Sequence, residues 1–204
     1  MFHLRDVMTG GQQIHAPTQM VLQAPTLWLD WISKYRITTT WSPNFAYGLI
    51  IKELEKLNRN PVVKADHKWD LSSLKFILNG GEAIVPKTAR RFLELLIPYQ
   101  LSSQVMYPAW RMSETSSAVT FADNFLLELT TDEQKFVELG SPIPGFSIRI
   151  TDNQNQVIEE GKTGFIQVKG ASVTSGYYQN NTANLEAFTE DGWFNTGDLG
   201  FILK

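Results

Sequence analysis

Short apolar runs alternate with stretches of helical periodicity between residues 27 and 106, and this alternation constrains the fold more than any other feature. Three runs have the length and composition of buried strands, at residues 37–41, 74–78 and 105–106. Between them, helical spacing predicts one helix after Ser42-Pro43, with Ser42 as its N-cap, and another that opens at Pro86. This order predicts an α/β fold in which helices pack on a mostly parallel sheet.

The N-terminal segment shows weaker patterns. Residues 1–16 predict an apolar start, a turn at residues 9–11 and a short extended piece that ends before Pro17. Apolar residues at helical spacing in residues 27–35 predict a helix ahead of the first strand.

The C-terminal part of the chain lacks a long helical period. Alternating residues at 146–150 and an apolar run at 165–168 predict short strands that are separated by turn residues. We expect an α/β subdomain at residues 1–127 and a β-rich subdomain at residues 128–204, either a small antiparallel sheet or a barrel-like unit.

Composition excludes several classes of protein. Hydrophobic residues make up 43% and charged residues 19% of the 204 residues, which is typical of a folded globular chain. A net charge of −3 without a basic cluster argues against nucleic acid as a partner. The absence of cysteine excludes disulfides and thiolate sites. We expect no membrane span, and the lack of a signal-peptide pattern makes the cytoplasm the expected location.

Polar and glycine-rich segments follow two of the predicted strands, where ligands collect in parallel sheets. One is Asn79-Gly80-Gly81-Glu82. The other contains Trp110 and ends in Ser113 and Glu114, a hydroxyl beside a carboxylate that can bind a phosphate-bound Mg²⁺. A plain turn before a capped helix would look much the same.

Four segments in order resemble AMP-forming acyl-activating enzymes, which include acyl-CoA synthetases, fatty acyl-AMP ligases and adenylation domains of nonribosomal peptide synthetases. These segments are residues 74–83, 110–114, 163–178 and 193–200. The amino-acid sequence at residues 41–49 and 108–110 looks closest to that of the fatty acyl-AMP ligase-like loading domains of polyketide and hybrid peptide synthetases.

The resemblance implies that ATP and a carboxylic acid form an acyl-adenylate and pyrophosphate, and that the acyl group then passes to a thiol of CoA or phosphopantetheine. It implies that Glu114 holds Mg²⁺ and that Ser113 hydrogen-bonds the α-phosphate. The implied nucleotide contacts come from the loop of Asn79, Gly80, Gly81 and Glu82, from Trp110 stacked on adenine, and from Asp198 at the ribose hydroxyls.

Each of these roles has a structural alternative. Glu114 could be a helix-start carboxylate, and Asp198 could belong to a plain Gly-Asp turn. Gly80 and Gly81 could form only a strand-to-helix turn, and Trp110 could be a core residue.

The resemblance also places an acyl pocket between Asn44, Phe45, Gly48 and Met106, together with Asn79. Asn44 stands where amino-acid-activating relatives usually have an aspartate, so an acid without an α-amine is expected. Arg111 stands where the family usually has glycine. If that position needs positive φ, Arg111 costs about 1–3 kcal/mol; its cation would either crowd the nucleotide or contact a phosphate.

Two family elements are not found in this sequence: the Ser/Thr/Gly-rich phosphate loop and the small C-terminal domain with its adenylation lysine. The 204-residue chain alone is therefore expected to lack acid-dependent ATP–pyrophosphate exchange. Its partners would be a carboxylic acid and either a carrier protein or the remaining parts of the same enzyme.

The alternative is a non-catalytic remnant or a partner-dependent module. A dinucleotide-binding oxidoreductase is poorly supported, because no Gly-x-Gly-x-x-Gly follows a strand.

Overall fold

The computed structural model of the protein describes residues 2–59, 68–123 and 125–203. The chain forms two units, one of Met1–Trp110 with Phe121–Gly140 and the other of Arg111–Thr120 with Ser141–Lys204. This division is interleaved, whereas a single boundary between residues 127 and 128 was predicted from the sequence.

Three parallel strands organise the first unit, in the order β1-β2-β3. In register, Thr40 of β1 lies beside Ile77 of β2, and Ile77 lies beside Met106 of β3. The elements are α1 (Phe2–Thr9), α2 (Thr18–Gln23), α3 (Leu27–Tyr35), β1 (Thr39–Ser42), α4 (Asn44–Asn58), β2 (Phe76–Asn79), α5 (Pro86–Leu96), a 3₁₀ turn (Ile97–Tyr99) and β3 (Met106–Arg111). The predicted α/β fold with helices packed on a parallel sheet is confirmed.

The core of this unit is centred on Tyr47 of α4, whose side chain is fully buried. Its ring packs edge-on against Phe92 of α5 at 4.7 Å between centroids and lies 5.9 Å from the ring of Trp28 of α3. The Tyr47 hydroxyl donates to the carbonyl oxygen of Leu78 in β2 at 2.9 Å, so one side chain ties the helices to the sheet. Burial raises the pKa of Tyr47 far above its ordinary value.

Three local predictions need correction. The segment 1–16 contains the helix α1, and a second short helix, α2, precedes α3. Ser42 is not an N-cap: it is the last residue of β1, paired with Asn79, and the helix begins only after Pro43. The third strand is longer than predicted and includes Trp110 and Arg111, because β-sheet pairing continues past the apolar run.

The second unit is built on a three-stranded antiparallel sheet in the order β6-β7-β8. Its elements are a 3₁₀ turn (Ser113–Thr115), β4 (Ala118–Phe121, the last residue belonging to the first unit), β5 (Ser141–Pro142), β6 (Phe146–Thr151), β7 (Gly164–Gly170), α6 (Asn181–Ala187) and β8 (Phe194–Gly200). The antiparallel sheet was expected, but within the described residues it stays open and forms no closed barrel.

A buried amide holds the three strands of this sheet in register. Gln167 of β7 is fully buried, and its oxygen accepts a hydrogen bond from Arg149 Nε of β6 at 2.6 Å. Its nitrogen donates to Asn195 Oδ1 of β8 at 2.6 Å. Buried polar groups are costly unless they are hydrogen-bonded, so a shift of either neighbouring strand would be penalised.

Arg149 extends this network to the surface. Its guanidinium forms a two-pronged ion pair with Asp191, at 2.6 and 3.1 Å, and lies 4.5 Å from the centre of the Trp193 ring. Hydrogen bonds from Arg149 and then from Thr189 lower the pKa of Asp191 to about 2. Because the folded-state pKa lies below the ordinary 3.8, this pair stabilises the fold above pH 3.8 and is lost as pH falls through about 2.

Replacing Asp191 with Asn should therefore flatten the pH dependence of the unfolding free energy between about pH 4 and pH 2. Urea unfolding at several pH values measures this slope. Glu190→Gln is the matched control, because Glu190 is the exposed neighbour in the same turn, and this variant should keep the slope of the parent. Equal slopes for Asp191→Asn and the parent would show that the ion pair does not contribute to the pH dependence of the unfolding free energy.

Candidate functional site

The carboxyl end of β2 brings two of the predicted site residues together. Asn79 is fully buried, and its Nδ2 donates to the sulfur of Met106 in β3 at 3.8 Å. The Asn79 carboxamide oxygen is buried without a hydrogen-bond partner among the described residues. A buried acceptor without a donor is costly, so this oxygen is a candidate for a polar partner at the end of the strand.

The loop after β2 lies directly against the backbone of β3. A Cβ at Gly80 would stand 2.4 Å from the carbonyl oxygen of Ala109, so only glycine fits there. Gly81 follows with φ +96°, in the left-handed region that glycine adopts readily. The two glycines therefore have a structural reason to be present, whichever ligand the loop binds.

Two hydrogen bonds tie this loop to the start of α4. The carboxylate of Glu82 accepts from the backbone N–H of Phe45 at 2.6 Å and so takes the capping role that had been predicted for Ser42. The backbone N–H of Val85 donates to the side-chain oxygen of Asn44 at 3.3 Å. The residues predicted for the nucleotide loop and for the acyl pocket are thus joined in the first unit.

The α4 side of this region has one residue with open space beside it. Asn44 is buried, whereas Phe45 is 53% exposed. A Cβ at Gly48, one helical turn further on, would have no atom within 4 Å. The pocket wall that the sequence predicts at Asn44, Phe45 and Gly48 thus has open space beside Gly48, and its role stays a prediction.

The end of β3 carries Trp110 and Arg111. Trp110 is half-buried. Arg111 is not among the described residues with positive φ, so the backbone cost that depended on that conformation does not arise. Its Nε is buried without a hydrogen-bond partner in the described part of the chain.

In the second unit, Glu114 is held at two points. Its Oε1 accepts a hydrogen bond from the hydroxyl of Tyr177 at 3.0 Å, and its backbone carbonyl accepts from the N–H of Thr174 at 2.6 Å. Desolvation raises the pKa of Tyr177, and the neighbouring carboxylate raises it further, so Tyr177 remains a neutral donor. Ser113, just before Glu114 in the 3₁₀ turn, is exposed.

Asp198 sits on an irregularity of β8. Phe165 pairs with Leu199 and Gln167 pairs with Asn195, so three residues of β8 stand opposite the single residue between them on β7. Gly197 in this bulge has φ +78°. The hydroxyl of Thr196 donates to the carbonyl of Ile166 at 2.8 Å and accepts from the N–H of Asp198 at 3.1 Å. Bulges re-aim side chains, and this one presents Asp198 at an exposed position.

The donor atoms of Ser113 and Glu114 fit Mg²⁺, which takes oxygen ligands and commonly combines one or two carboxylates with substrate phosphates and water. The carboxylate is half-buried and oriented by Tyr177, as expected of a group that keeps a fixed position. Within the described residues, no group of three or more His, Cys, Asp or Glu forms a metal cluster.

Three residues of this site, Tyr177, Thr174 and Asn184, were not predicted from the sequence. The first lies in the Gly-Tyr-Tyr segment that carried part of the resemblance, so the signal was present but had no assigned role. The other two contribute a backbone N–H and a carboxamide, which no local pattern reveals.

A parallel α/β sheet with a close-packed glycine loop at its carboxyl edge, followed by an antiparallel sheet, is the architecture of an adenylation-domain core. The chain belongs to the AMP-binding enzyme family, whose model matches residues 4–178. The predicted resemblance is confirmed at this level. No helix in the described part of the chain has the length and apolar character needed to cross a membrane.

Individual relatives extend this result. The chain is 34% identical over 200 residues to the nonribosomal peptide synthetase apvA of Aspergillus terreus, covering 98% of this chain and 21% of that protein. A solved structure of McyG A-PCP complexed with phenylalanyl-adenylate is 43% identical with a TM-score of 0.87, covering 95% of this chain and 29% of that chain. The adenylation domain of a keto acid-selecting NRPS module bound to keto acyl adenylate is 41% identical with a TM-score of 0.90, covering 98% and 39%. The chain thus spans about a fifth of the curated relative's length.

Replacing Gly80 with Ala should lower the unfolding free energy by about 1–3 kcal/mol, because the new methyl group would meet the Ala109 carbonyl at 2.4 Å and one backbone must shift. Urea unfolding followed by circular dichroism measures the change. Gly48→Ala is the matched control: it adds the same methyl inside α4 with no atom within 4 Å, and helix propensity predicts a gain of about 0.5–1 kcal/mol. A Gly80→Ala variant as stable as the parent would contradict the close packing.

Proposed function

We propose that this chain forms part of an adenylation domain of nonribosomal peptide synthetase type, in a protein that activates a carboxylic acid with ATP. The observation that carries the proposal is the fixed carboxylate of Glu114 beside Ser113, in a chain that matches the AMP-binding family over residues 4–178. The acid oxygen would attack the α-phosphorus of ATP, and the bond to the bridging oxygen of pyrophosphate would break. The products are an acyl-adenylate and pyrophosphate.

Each proposed role follows from the chemistry of the residue. In the first unit, Gly80 lets the nucleotide approach the backbone closely, and the ring of Trp110 can cover one face of adenine. In the second unit, the Ser113 hydroxyl can donate to an α-phosphate oxygen, and the Asp198 carboxylate can accept hydrogen bonds from the ribose hydroxyls. Mg²⁺, held by Glu114, would neutralise phosphate charge.

We further propose that the acid lacks a protonated α-amine. The side-chain oxygen of Asn44 already accepts from Val85, and the neutral carboxamide has no negative charge to pair with an ammonium group, while its Nδ2 is a donor. A donor suits the oxygen of a 2-oxo acid instead. The keto acid-selecting domain described above supports this class, whereas the phenylalanyl-adenylate bound to McyG represents the competing amino-acid class.

The acyl group would then pass to a thiol, on CoA or on the phosphopantetheine of a carrier protein. The carrier protein has the better support, because the similar McyG structure contains an A-PCP pair and the similar apvA protein is a nonribosomal peptide synthetase.

The direct test is ATP–pyrophosphate exchange by the full-length protein with a 2-oxo acid, the matching amino acid, an aryl acid and a fatty acid. We expect exchange with the 2-oxo acid above the amino acid. Glu114→Gln should lower the exchange rate about 100-fold, equivalent to about 3 kcal/mol, because it removes the charge that holds Mg²⁺. Glu160→Gln, an exposed carboxylate in the same unit, is the control. No exchange with any acid would favour the non-catalytic alternative.

Nucleotide binding by the 204-residue chain tests the ribose assignment separately. AMP and ATP should bind weakly and about equally, with Kd on the order of 1 mM, or about −4 kcal/mol. Asp198→Ala should abolish detectable AMP binding, because a charge-assisted hydrogen bond contributes about 1.5–3 kcal/mol. Glu114→Gln should leave AMP binding nearly unchanged without Mg²⁺. Ligand-observed NMR measures all of these, with Glu190→Ala as a control for loss of an exposed carboxylate. If Asp198→Ala binds AMP as well as the parent does, the ribose assignment is wrong.

A further inference from the structure

Glu114 and the loop that contains Tyr177 make two separate contacts, and these act on different parts of the glutamate. The N–H of Thr174 holds the backbone carbonyl of Glu114 at 2.6 Å. The hydroxyl of Tyr177 holds the carboxylate through Oε1 at 3.0 Å. Among the described residues, Oε1 is the only carboxylate oxygen of Glu114 that accepts a hydrogen bond, so Oε2 is left for a ligand.

Tyr177 is itself fixed by helix α6. Its backbone N–H donates to Asn184 Oδ1 at 2.6 Å, and its carbonyl accepts from Asn184 Nδ2 at 3.0 Å. One carboxamide therefore satisfies both backbone groups of Tyr177. At the helix start, the side chain of Asn180 accepts from the N–H of Ala183 at 3.2 Å and caps α6.

The neighbouring tyrosine shows that this arrangement is specific. Tyr178 is 90% exposed, and its hydroxyl accepts a hydrogen bond from the adjacent Gln179 at 3.2 Å. Tyr177 is 37% exposed, and its hydroxyl reaches a residue 63 positions earlier in the chain. A tyrosine that served only to pack would not need its hydroxyl directed at a carboxylate.

We propose that Tyr177 is a positioning residue that orients the carboxylate of Glu114 toward its cation, and that Asn184 fixes Tyr177 in place. This inference rests on the proposed function, because it takes Glu114 as the Mg²⁺ ligand. The Tyr177 hydroxyl restricts the orientations of the carboxylate, so that Glu114 would lose less side-chain freedom on binding a cation. Partners that orient a metal ligand typically change metal affinity about 10- to 100-fold when they are removed.

The contacts allow a clean substitution. Tyr177→Phe removes only the hydroxyl, because Asn184 binds the Tyr177 backbone and Thr174 binds the Glu114 backbone. Tyr178→Phe removes a hydroxyl from the next residue and is the matched control. Asn184→Ala is a second, independent variant, which should loosen Tyr177 without touching its hydroxyl.

The experiment uses the full-length protein and measures the binding of Mn²⁺ in the presence of ATP by electron paramagnetic resonance, together with the Mg²⁺ dependence of ATP–pyrophosphate exchange. Tyr177→Phe and Asn184→Ala should raise the Kd for Mn²⁺ and the half-saturating Mg²⁺ concentration about 10-fold. The exchange rate at saturating Mg²⁺ and the binding of AMP without metal should stay within about 2-fold of the parent. Tyr178→Phe should match the parent in every measurement.

A double-mutant cycle separates positioning from general structural support. In a Glu114→Gln background, Tyr177→Phe should have no further effect on Mn²⁺ binding, because the group that it orients is already gone. Unchanged metal binding in Tyr177→Phe, or an equal loss of metal-free AMP binding, would overturn the positioning role while exchange by the parent upholds the proposed function. A parent that neither exchanges pyrophosphate nor binds Mn²⁺ with ATP would overturn both.

Discussion

The contact between the loop after β2 and the backbone of β3 is the constraint on which the first unit's site depends. Gly80 can lie above the Ala109 carbonyl only because it has no Cβ, and this lets the loop turn sharply at the sheet edge. From there, Glu82 reaches the first turn of α4 and Val85 reaches Asn44. A larger residue at Gly80 would lift the loop and weaken both hydrogen bonds, so one backbone contact sets the positions of the predicted nucleotide loop and of the predicted pocket wall.

The second unit uses a buried polar network for the same purpose. The alternation of buried and exposed side chains already sets the register of a sheet, and Gln167 adds specific partners on both neighbouring strands. The Gln167–Asn195 pair stands immediately before the bulge of β8. Because the position of this pair is fixed, the start of the bulge is fixed as well. The place of Asp198 along the strand follows from it.

Local sequence patterns predicted the strands and helices that have a clear period. The parallel order follows from the short apolar runs, and α5 begins at Pro86 as expected, because proline suits the first helical position. The pattern missed α2, a six-residue helix without a side-chain cap or a buried residue. It assigned the cap of α4 to Ser42, since sequence alone could not show that Glu82, 37 residues after Phe45, would supply it.

The predicted site residues depended more on resemblance than on pattern. A period of two residues cannot show that β8 carries two more residues than its partner between Asn195 and Leu199, so the place of Asp198 could be recognised only by its Asn-Thr-Gly-Asp segment. The hydroxyl that holds Glu114 comes from Tyr177, whose Gly-Tyr-Tyr segment belongs to the resemblance, but no local pattern links it to a residue 63 positions earlier. The roles of Ser113, Glu114, Trp110 and Asp198 in catalysis and nucleotide binding remain predictions.

The two carboxylates predicted for the site in the second unit, those of Glu114 and Asp198, are positioned by different physical means. The place of Asp198 along β8 is set by the backbone, through a bulge with positive φ at Gly197 and the two hydrogen bonds of Thr196. Glu114 takes its direction from a side-chain hydrogen bond, while its backbone is held independently by Thr174. The bulge of β8 cannot be removed without disturbing the strand, whereas the hydroxyl of Tyr177 can be removed by a single substitution. The carboxylate of Glu114 can therefore lose its orienting hydrogen bond through one substitution, while the backbone hydrogen bond from Thr174 remains.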